Sequence, residues 1–227
     1  MGEMTNDYLR SPADVRGWPA NPAARQALQR YLAALPEGTD DIEQLLDAEG
    51  LDFSGADLSG LDLTGADFSG AQLSGVRLAG ADLYRAWLIA ATLHGADLSR
   101  CRLRKAEGRQ CDARDAVLRG VDLERAEFEH ADFRGAVLAG ASFGRARLPD
   151  ADLRGADLRD CVFGSSAGFT VLRRARLAGC RLTRATGRVR GPIDIGADNP
   201  QLVDSTDLRD WFAEQGAPLI EVAPPRS

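Results

Sequence analysis

Residues 51–75 read LDFSG ADLSG LDLTG ADFSG AQLSG. The five-residue pattern continues without a slip, and its central apolar position returns 23 times between Phe53 and Phe163. That position is Leu or Phe everywhere except at Gly108 and Ala113. A period of five fits neither an amphipathic helix, which repeats about every 3.6 residues, nor a strand, which repeats every two. The pattern therefore indicates a repeat architecture in which each repeat forms one short side of a coil.

Each position of the repeat has a predicted role. A small residue stands two places before each apolar centre, most often Ala and otherwise Leu, Val or Cys. We expect the small residue and the centre to point inward, while the other three positions face water. Burial of each Leu or Phe centre stabilises the fold by roughly 1.5–3 kcal/mol. The predicted core includes Phe53, Leu58, Leu98, Leu123, Phe133, Leu153 and Phe163.

These A-(D/N)-L-x-x repeats resemble the pentapeptide-repeat family over about half of the chain. The resemblance implies an all-β solenoid, a right-handed quadrilateral β-helix in which four repeats form one coil of twenty residues. Neighbouring coils are then expected to pair edge to edge at the usual inter-strand distance of ~4.8 Å. Counted in steps of twenty from residue 51, the repeats predict about seven coils.

Helical caps are expected at both ends of this β-helix. Asn21 and Pro22 predict the start of a first helix, because Asn accepts N–H groups at a helix N-terminus and Pro suits the first turn. A second short helix is predicted over 40–50, with Glu43 completing a capping box. Residues 1–50 therefore form, in this interpretation, an N-terminal arm and a helical cap on the first coil.

The C-terminal stretch STDLRDWFAEQG, residues 205–216, predicts a further helix. Its apolar face carries Leu208, Trp211 and Phe212. This face either seals the last coil or forms a homodimer, as C-terminal helical segments do in well-studied pentapeptide-repeat proteins, and the two roles are compatible. The predicted parts of the chain are the arm and cap at 1–50, the β-helix at 51–190, and the C-terminal cap with its candidate dimerisation segment at 191–227.

The repeat register breaks once, in GSSAGFT after Phe163, and resumes at Leu172 nine residues later. Because nine is not a multiple of five, the sequence predicts an irregular corner or small loop near Ser165 to Thr170. GSSAG also matches the G-x-S-x-G pattern around Ser166, but the strand-to-helix context of that motif is missing. We therefore interpret this segment as structural.

The net charge of −6 is unevenly distributed, with −3 over 51–163 and +7 over 164–190. Folding the repeats into four faces places two columns of cations on the outside. They are Arg114, Arg134, Arg154 and Arg173 in the first column, and Arg85, Lys105, Arg125, Arg145 and Arg184 in the second. Asp112, Asp132 and Asp152 stand beside the first column as counter-charges. The columns are either a self-neutralised, solvated surface or a docking stripe for an acidic protein or a polyanion.

A third face carries Trp87 and Ile89 at outward positions, near Glu107 and Glu127. Exposed large apolar side chains that adjoin one another usually find cover. Two explanations remain open, which are cover by the N-terminal arm around Trp18 and a hot spot for a partner protein.

Enzyme chemistry finds little support in the sequence. The two histidines, His94 and His130, fall on different faces, and the four cysteines take the small inward position, where thiols behave as compact apolar groups. Cys161 and Cys180 are expected in adjacent coils of one column, within disulfide distance, although a reducing cytosol disfavours the bridge. We expect no metal and no cofactor. Without a signal-peptide pattern or a membrane-spanning stretch, the chain is expected to be cytoplasmic.

The leading interpretation is a non-enzymatic interaction protein, whose rigid solenoid presents columns of side chains to a protein partner. The resemblance offers an alternative, because some family members mimic B-form DNA and bind type II topoisomerases, DNA gyrase or topoisomerase IV, protecting or inhibiting them. That role requires an acidic solenoid, whereas residues 51–190 carry a net charge of +4. Direct binding of nucleic acid through the arginine columns is a weaker alternative, because the surface lacks interleaved aromatic side chains.

Overall fold

The computed structural model describes residues 8–35, 45–166 and 168–224. In its central part the chain winds into a β-helix, because the second residue of each repeat pairs in parallel with the residue twenty positions later. This register runs unbroken from the bridge between Asp47 and Asp67 to the pair of Ser142 and Val162. The spacing agrees with coils that each contain four repeats.

The side of each coil ends in a β-turn that the repeat sequence itself stabilises. In one such turn the N–H of Cys101 donates to the carbonyl of Leu98 at 3.1 Å, and Arg100 has a φ of 58°. A positive φ at the third turn residue is typical of a type II turn, which explains why Gly is so common there. The Asp97 carboxylate accepts the Ser99 N–H at 3.0 Å, so the Asp of A-D-L-x-x fixes the turn that follows it.

The apolar centres fill the interior of the coil. The seven centres named above, from Phe53 to Phe163, are each at most 1% exposed. The exceptions at Gly108 and Ala113 have a packing explanation. One coil further on, the same two faces carry Phe128 and Phe133, and the Phe128 ring occupies the space that a Cβ at Gly108 would need. Two small centres therefore make room for two adjacent rings, whose centroids lie 5.4 Å apart.

Most sides of the coils are single bridges, and the longer strands of the described ranges lie towards the C-terminus. The helices are a short 3-10 helix Pro12–Asp14, α1 Pro22–Ala34 and α2 Ser205–Glu214. The strands are β1 Ser142–Phe143, β2 Val162–Phe163, β3 Thr170–Val171, β4 Thr186–Arg190, β5 Ile193–Asp194, β6 Leu202–Val203 and β7 Leu219–Val222.

The first helix, α1, forms where the sequence predicts it and packs on the start of the solenoid. The Asn21 side chain accepts the N–H of Ala24 at 3.1 Å, as expected for a helix N-cap. Leu28 and Tyr31 are buried, and the Tyr31 hydroxyl donates to the carbonyl of Asp62 at 2.9 Å. The apolar face of α1 therefore belongs to the same hydrophobic core as the centres of the repeats.

The second helix predicted over 40–50 lies partly outside the described residues, since 36–44 are not among them. The prediction is wrong for the second half of this segment, because residues 45–50 belong to the solenoid. Asp47 bridges Asp67, Ala48 is fully buried, and Gly50 takes the positive φ of a repeat turn. The segment LDAEG, residues 46–50, is a repeat whose centre is Ala48. Because this centre is neither Leu nor Phe, the sequence pattern was interpreted as a helix.

The predicted loop after Phe163 is confirmed, and it is a four-residue insertion into one coil. Asp152 pairs with Arg176, twenty-four residues later, where earlier coils use twenty. The loop turns through an antiparallel bridge between Ser165 and Gly168. Its end is fixed by the buried Thr170, whose hydroxyl donates to the backbone of the previous coil at 2.7 Å. The insertion changes which residues stack on one another in the last coil.

The C-terminal segment adds one more strand to the solenoid. Strand β4 pairs in parallel with β2, β3 and β7, so the face that begins with β1 continues to Val222. At the second residue of β4, Gly187 has a φ of 108° and passes so close to the Phe163 carbonyl that no Cβ fits. Glycine is therefore required for β4 to follow β2 at this distance.

Candidate interaction surface

The first arginine column is neutralised within its own repeats. The Nη2 atom of Arg134 lies 2.6 Å from the carboxylate of Asp132, and its Nε lies 2.9 Å from it. Arg114 and Arg154 form the same two-pronged contact with the aspartates of their repeats. Between coils, Nε of Arg134 also lies 3.9 Å from Asp152. This geometry supports the interpretation of the column as a self-neutralised surface.

These contacts change the acidity of the aspartates. The hydrogen bond from the Arg114 side chain holds the pKa of Asp112 below its usual range. Burial on its own raises the pKa of Asp152, but the hydrogen bonds from Arg154 outweigh it, and the pKa is lowered. Both carboxylates are therefore ionised at neutral pH and stabilise the folded state in that form.

We expect the Asp112→Asn/Asp152→Asn double variant to melt below the wild type at pH 7 and to approach it near pH 3. A carboxylate whose folded-state pKa is depressed contributes stability above its ordinary pKa of about 4, and this contribution is lost as the pH falls through the folded-state value. Thermal unfolding at several pH values measures the gap. Asp97→Asn, at the same repeat position, is the control. A gap that stays constant down to pH 3 contradicts the prediction.

The prediction that Arg173 continues the first column is wrong. Because Asp152 pairs with Arg176 across the insertion, Ala178 occupies the next position of the column. Arg173 lies on the adjoining face, where its carbonyl accepts the N–H of Asp150 at 2.9 Å. The sequence prediction placed the next coil nineteen residues after Arg154, one residue short of the regular twenty. In the structure the coil is four residues longer than the regular twenty.

The second column occupies the left-handed residue of the turns. Arg85, Lys105, Arg125 and Arg145 have φ values of 58–60°. Part of the column is organised around Tyr84, whose hydroxyl accepts a hydrogen bond from Lys105 Nζ at 2.9 Å. This hydrogen bond lowers the pKa of Tyr84. The guanidinium of Arg85 lies 5.5 Å from the centre of the same ring, so a tyrosine that the sequence analysis did not single out holds two of the four cations.

The prediction that Arg184 belongs to the second column is also wrong. The insertion places it next to Asp160, and its Nε lies 2.6 Å from that carboxylate. The two side chains form a paired contact on a different corner of the solenoid. Arg184 therefore neutralises a neighbouring acid and does not extend the column.

Trp87 and Ile89 lie on the face that also carries Asp67 and Glu107. Trp87 pairs with both acidic residues through backbone bridges, and it is 38% exposed, while Ile89 is half-buried. The described part of the arm does not cover this face. Gly17 pairs instead with Asp57, and the backbone around residue 9 pairs with residues 60–62 on other faces. The expectation that the arm around Trp18 covers Trp87 is therefore wrong for residues 8–20.

The apolar face of α2 packs largely within its own chain. Leu208 and Phe212 are fully buried, and Trp211 is half-buried with its ring 5.1 Å from that of Phe212. Of the three side chains predicted to seal the last coil or to form a dimer, Trp211 alone retains exposed surface. A homodimer through this helix stays a prediction.

The family model described as pentapeptide repeats matches the chain in 8 copies, over residues 52–88, 86–125 and 126–164. A pentapeptide repeat protein from the thylakoid lumen of Arabidopsis thaliana is 35% identical, and the match covers 45% of this chain and 72% of that protein with a TM-score of 0.44. The chain belongs to the pentapeptide-repeat family. It is accordingly a right-handed β-helix, and the parallel pairing of its coils agrees with that fold.

Two further solved structures match at lower identity. HetL, a protein involved in heterocyst differentiation regulation in the cyanobacterium Nostoc, is 27% identical over 76% of this chain and 97% of its own, with a TM-score of 0.31. A variant of QnrB1, a plasmid-mediated fluoroquinolone resistance protein, is 22% identical over 67% of this chain and 71% of its own, with a TM-score of 0.41. No curated protein matches the chain in sequence.

The cysteines of this pentapeptide-repeat chain are buried and free. Cys161 and Cys180 do not share a column, contrary to expectation, because the insertion stacks Thr186 and not Arg181 on the repeat of Cys161. Burial raises the pKa of both thiols to about 12. They are therefore protonated at neutral pH and act as small apolar groups.

The side chains typical of metal sites are not clustered in the described part of this pentapeptide-repeat chain. No cluster of three or more His, Cys, Asp or Glu side chains that could hold a metal ion occurs in residues 8–35, 45–166 and 168–224. His94 lies 3.9 Å from Asp115, and His130 lies 3.9 Å from Glu129, both at exposed turns. Ser166 lies in the insertion loop, which leads into β3 and not into a helix. Within the same ranges, no helix has the length and apolar character needed to cross a bilayer.

Proposed function

We propose that the chain is a non-enzymatic protein-interaction module, whose rigid solenoid holds outward side chains in fixed columns for a protein partner. The observation that carries this proposal is Trp87, a large aromatic side chain that is 38% exposed in a column with Asp67 and Glu107. Tryptophan is enriched at the energetic centres of protein interfaces. Because backbone bridges fix its position on both sides, little conformational freedom is lost when a partner binds.

The surroundings of Trp87 indicate what the partner contacts. Asp67 precedes it in the column, and Glu107 and Glu127 follow, so the aromatic ring stands in an acidic stripe. Arg109 pairs with Glu107 at 3.3 Å, which offsets only part of that charge. A partner with a basic rim around an apolar recess is complementary to this face.

The arginine columns are the weaker candidates for the contact surface. The first column already binds its own aspartates, so a partner must compete with intramolecular pairs of about 2.6 Å. The DNA-mimic role towards type II topoisomerases requires an acidic solenoid, and the net charge of +4 over 51–190 opposes it. We therefore assign the partner-binding role to the face of Trp87.

Affinity capture followed by measurement of the dissociation constant with the purified partner tests this assignment. We expect Trp87→Ala to weaken binding by about 2 kcal/mol or more, the typical size of a hot-spot effect. Val162→Ala, at an exposed apolar position on another face, is the matched control and should leave binding unchanged.

The Arg134→Glu/Arg154→Glu variant separates the two candidate surfaces. Retained binding supports the assignment to the Trp87 face. Binding that survives Trp87→Ala but is lost on charge reversal contradicts it and assigns the contact to the first arginine column. Capture of gyrase or topoisomerase IV subunits, lost in neither variant, contradicts both.

A further inference from the structure

A pocket of about 400 Å³ lies at the C-terminal end of the solenoid, next to the four-residue insertion. Its lining includes Arg147, Arg173 and Arg190, one carboxylate at Asp204, and the apolar residues Val171 and Pro192. Among these six, only Arg173 was predicted from the sequence to contact a ligand or partner. The pocket lies further along the face that carries Trp87, beyond Glu127.

The register of the coils explains why these arginines converge. Arg147 pairs with Val171, and Val171 pairs with Arg190, so the three residues are consecutive positions of one outward column. Two strand spacings of ~4.8 Å place the two arginine backbones roughly 10 Å apart with a short side chain between them. Arg173 stands two residues beyond Val171 in the same coil. Long cationic side chains therefore surround a recess above a small apolar residue.

The insertion loop holds one of the arginines in place. The ring of Phe169 lies 4.4 Å from the guanidinium of Arg190 and 4.5 Å from that of Arg188. The Nε atom of Arg190 is buried and has no hydrogen-bond partner in the described part of the chain. A buried donor without a partner is costly to the folded state.

The charges around the pocket are not balanced by the protein. Neither Arg173 nor Arg190 forms an ion pair with a described residue, and Arg147 reaches Glu127 only at 3.7 Å. Asp204 is engaged at the start of α2, where its carboxylate accepts the Ser205 N–H at 2.7 Å. Three guanidinium groups and one carboxylate give the lining a net charge of +2.

We propose that this pocket binds the phosphoryl group of a small phosphomonoester. Such a group carries about two negative charges at neutral pH, which matches the lining, and its oxygens suit the paired donors of arginine. The volume lies within the roughly 300–1,000 Å³ of small-molecule sites and exceeds what phosphate alone requires. Val171 and Pro192 supply apolar contact for the organic part of the ligand.

Titration calorimetry at constant ionic strength, with phenyl phosphate, inorganic phosphate and phenol as probes, tests the proposal on the full chain. We expect saturable binding of phenyl phosphate, weaker binding of inorganic phosphate and none of phenol. Arg173→Gln should weaken phenyl phosphate binding at least tenfold. Arg174→Gln is the matched control, because this substitution removes the same charge from a neighbouring residue. Arg174 is exposed and pairs with Asp150 at 3.0 Å. Asp204→Asn should strengthen binding.

Several results overturn the proposal. An absence of saturable binding to the wild type does so directly. Equal weakening by Arg173→Gln and Arg174→Gln assigns the affinity to diffuse charge and not to the pocket. A single-stranded oligonucleotide that binds more tightly than phenyl phosphate, and loses its affinity on Arg173→Gln, replaces the small molecule with a nucleic-acid backbone.

Discussion

Leu123→Asp is expected to abolish cooperative folding of the solenoid. Leu123 is 1% exposed at the centre of a mid-solenoid repeat, so an aspartate there buries a charge without a partner. We expect a loss above about 4 kcal/mol, the range reserved for buried charges and major packing defects. Each coil contacts only its neighbours, so a defect in the middle removes support from the coils on both sides. Circular dichroism and thermal unfolding measure the effect.

Two variants place this result on a scale. Leu123→Ala keeps the site apolar and should cost about 2–5 kcal/mol. For a chain of this size, each kcal/mol corresponds to roughly 2–4 °C in Tm. Arg119→Asp, at an exposed turn of the same region, should change the Tm far less. A Leu123→Asp protein that unfolds cooperatively within a few degrees of the wild type contradicts the assignment of the centre as core.

Gly187→Ala should open the C-terminal coil while leaving the earlier coils intact. At a φ of 108° an L-residue is strained, and the added Cβ overlaps the Phe163 carbonyl oxygen. The strain and the overlap together should cost roughly 3 kcal/mol or more. Strand β4 pairs with β2, β3 and β7. Displacing β4 therefore breaks the backbone pairing of the last coil and of β7, the strand that follows α2.

Hydrogen exchange followed by mass spectrometry resolves this local effect. Backbone amides of 170–194 and 216–222 should exchange faster in Gly187→Ala, whereas those of 52–143 should keep their protection. Gly179→Ala is the control, because Gly179 also has a positive φ but faces open space. Uniform acceleration along the whole chain, or none, contradicts the prediction.

The repeats allowed the fold to be predicted because one short rule is applied many times. Each Leu or Phe centre and each small residue before it must be buried, and no helix or strand satisfies a period of five. The role of the repeat aspartates in fixing the turns was not predicted, although the A-(D/N)-L-x-x motif contains them. A carboxylate two residues before a turn N–H is a local hydrogen-bond pattern, and Asp97 with Ser99 illustrates it.

The candidate sites were less predictable, because they depend on which residues stack between coils. A four-residue insertion moved Arg173, Arg184 and Cys180 away from their expected neighbours. The sequence shows that the register changes, but the number of residues that loop out depends on packing around the buried Thr170. Arg190 was missed for the same reason, since it joins Arg147 only through that altered register.

The unbroken twenty-residue register also fixes the spacing between side chains of one column. Trp87 and Arg147 belong to one column, three coil steps apart, which is roughly 14 Å at ~4.8 Å per step. Removing or duplicating a block of twenty residues between them changes this separation by one step and keeps both side chains on the same face. The distance between Trp87 and the pocket at Arg147 can therefore change only in steps of one coil spacing. The number of repeats between the two residues determines that distance.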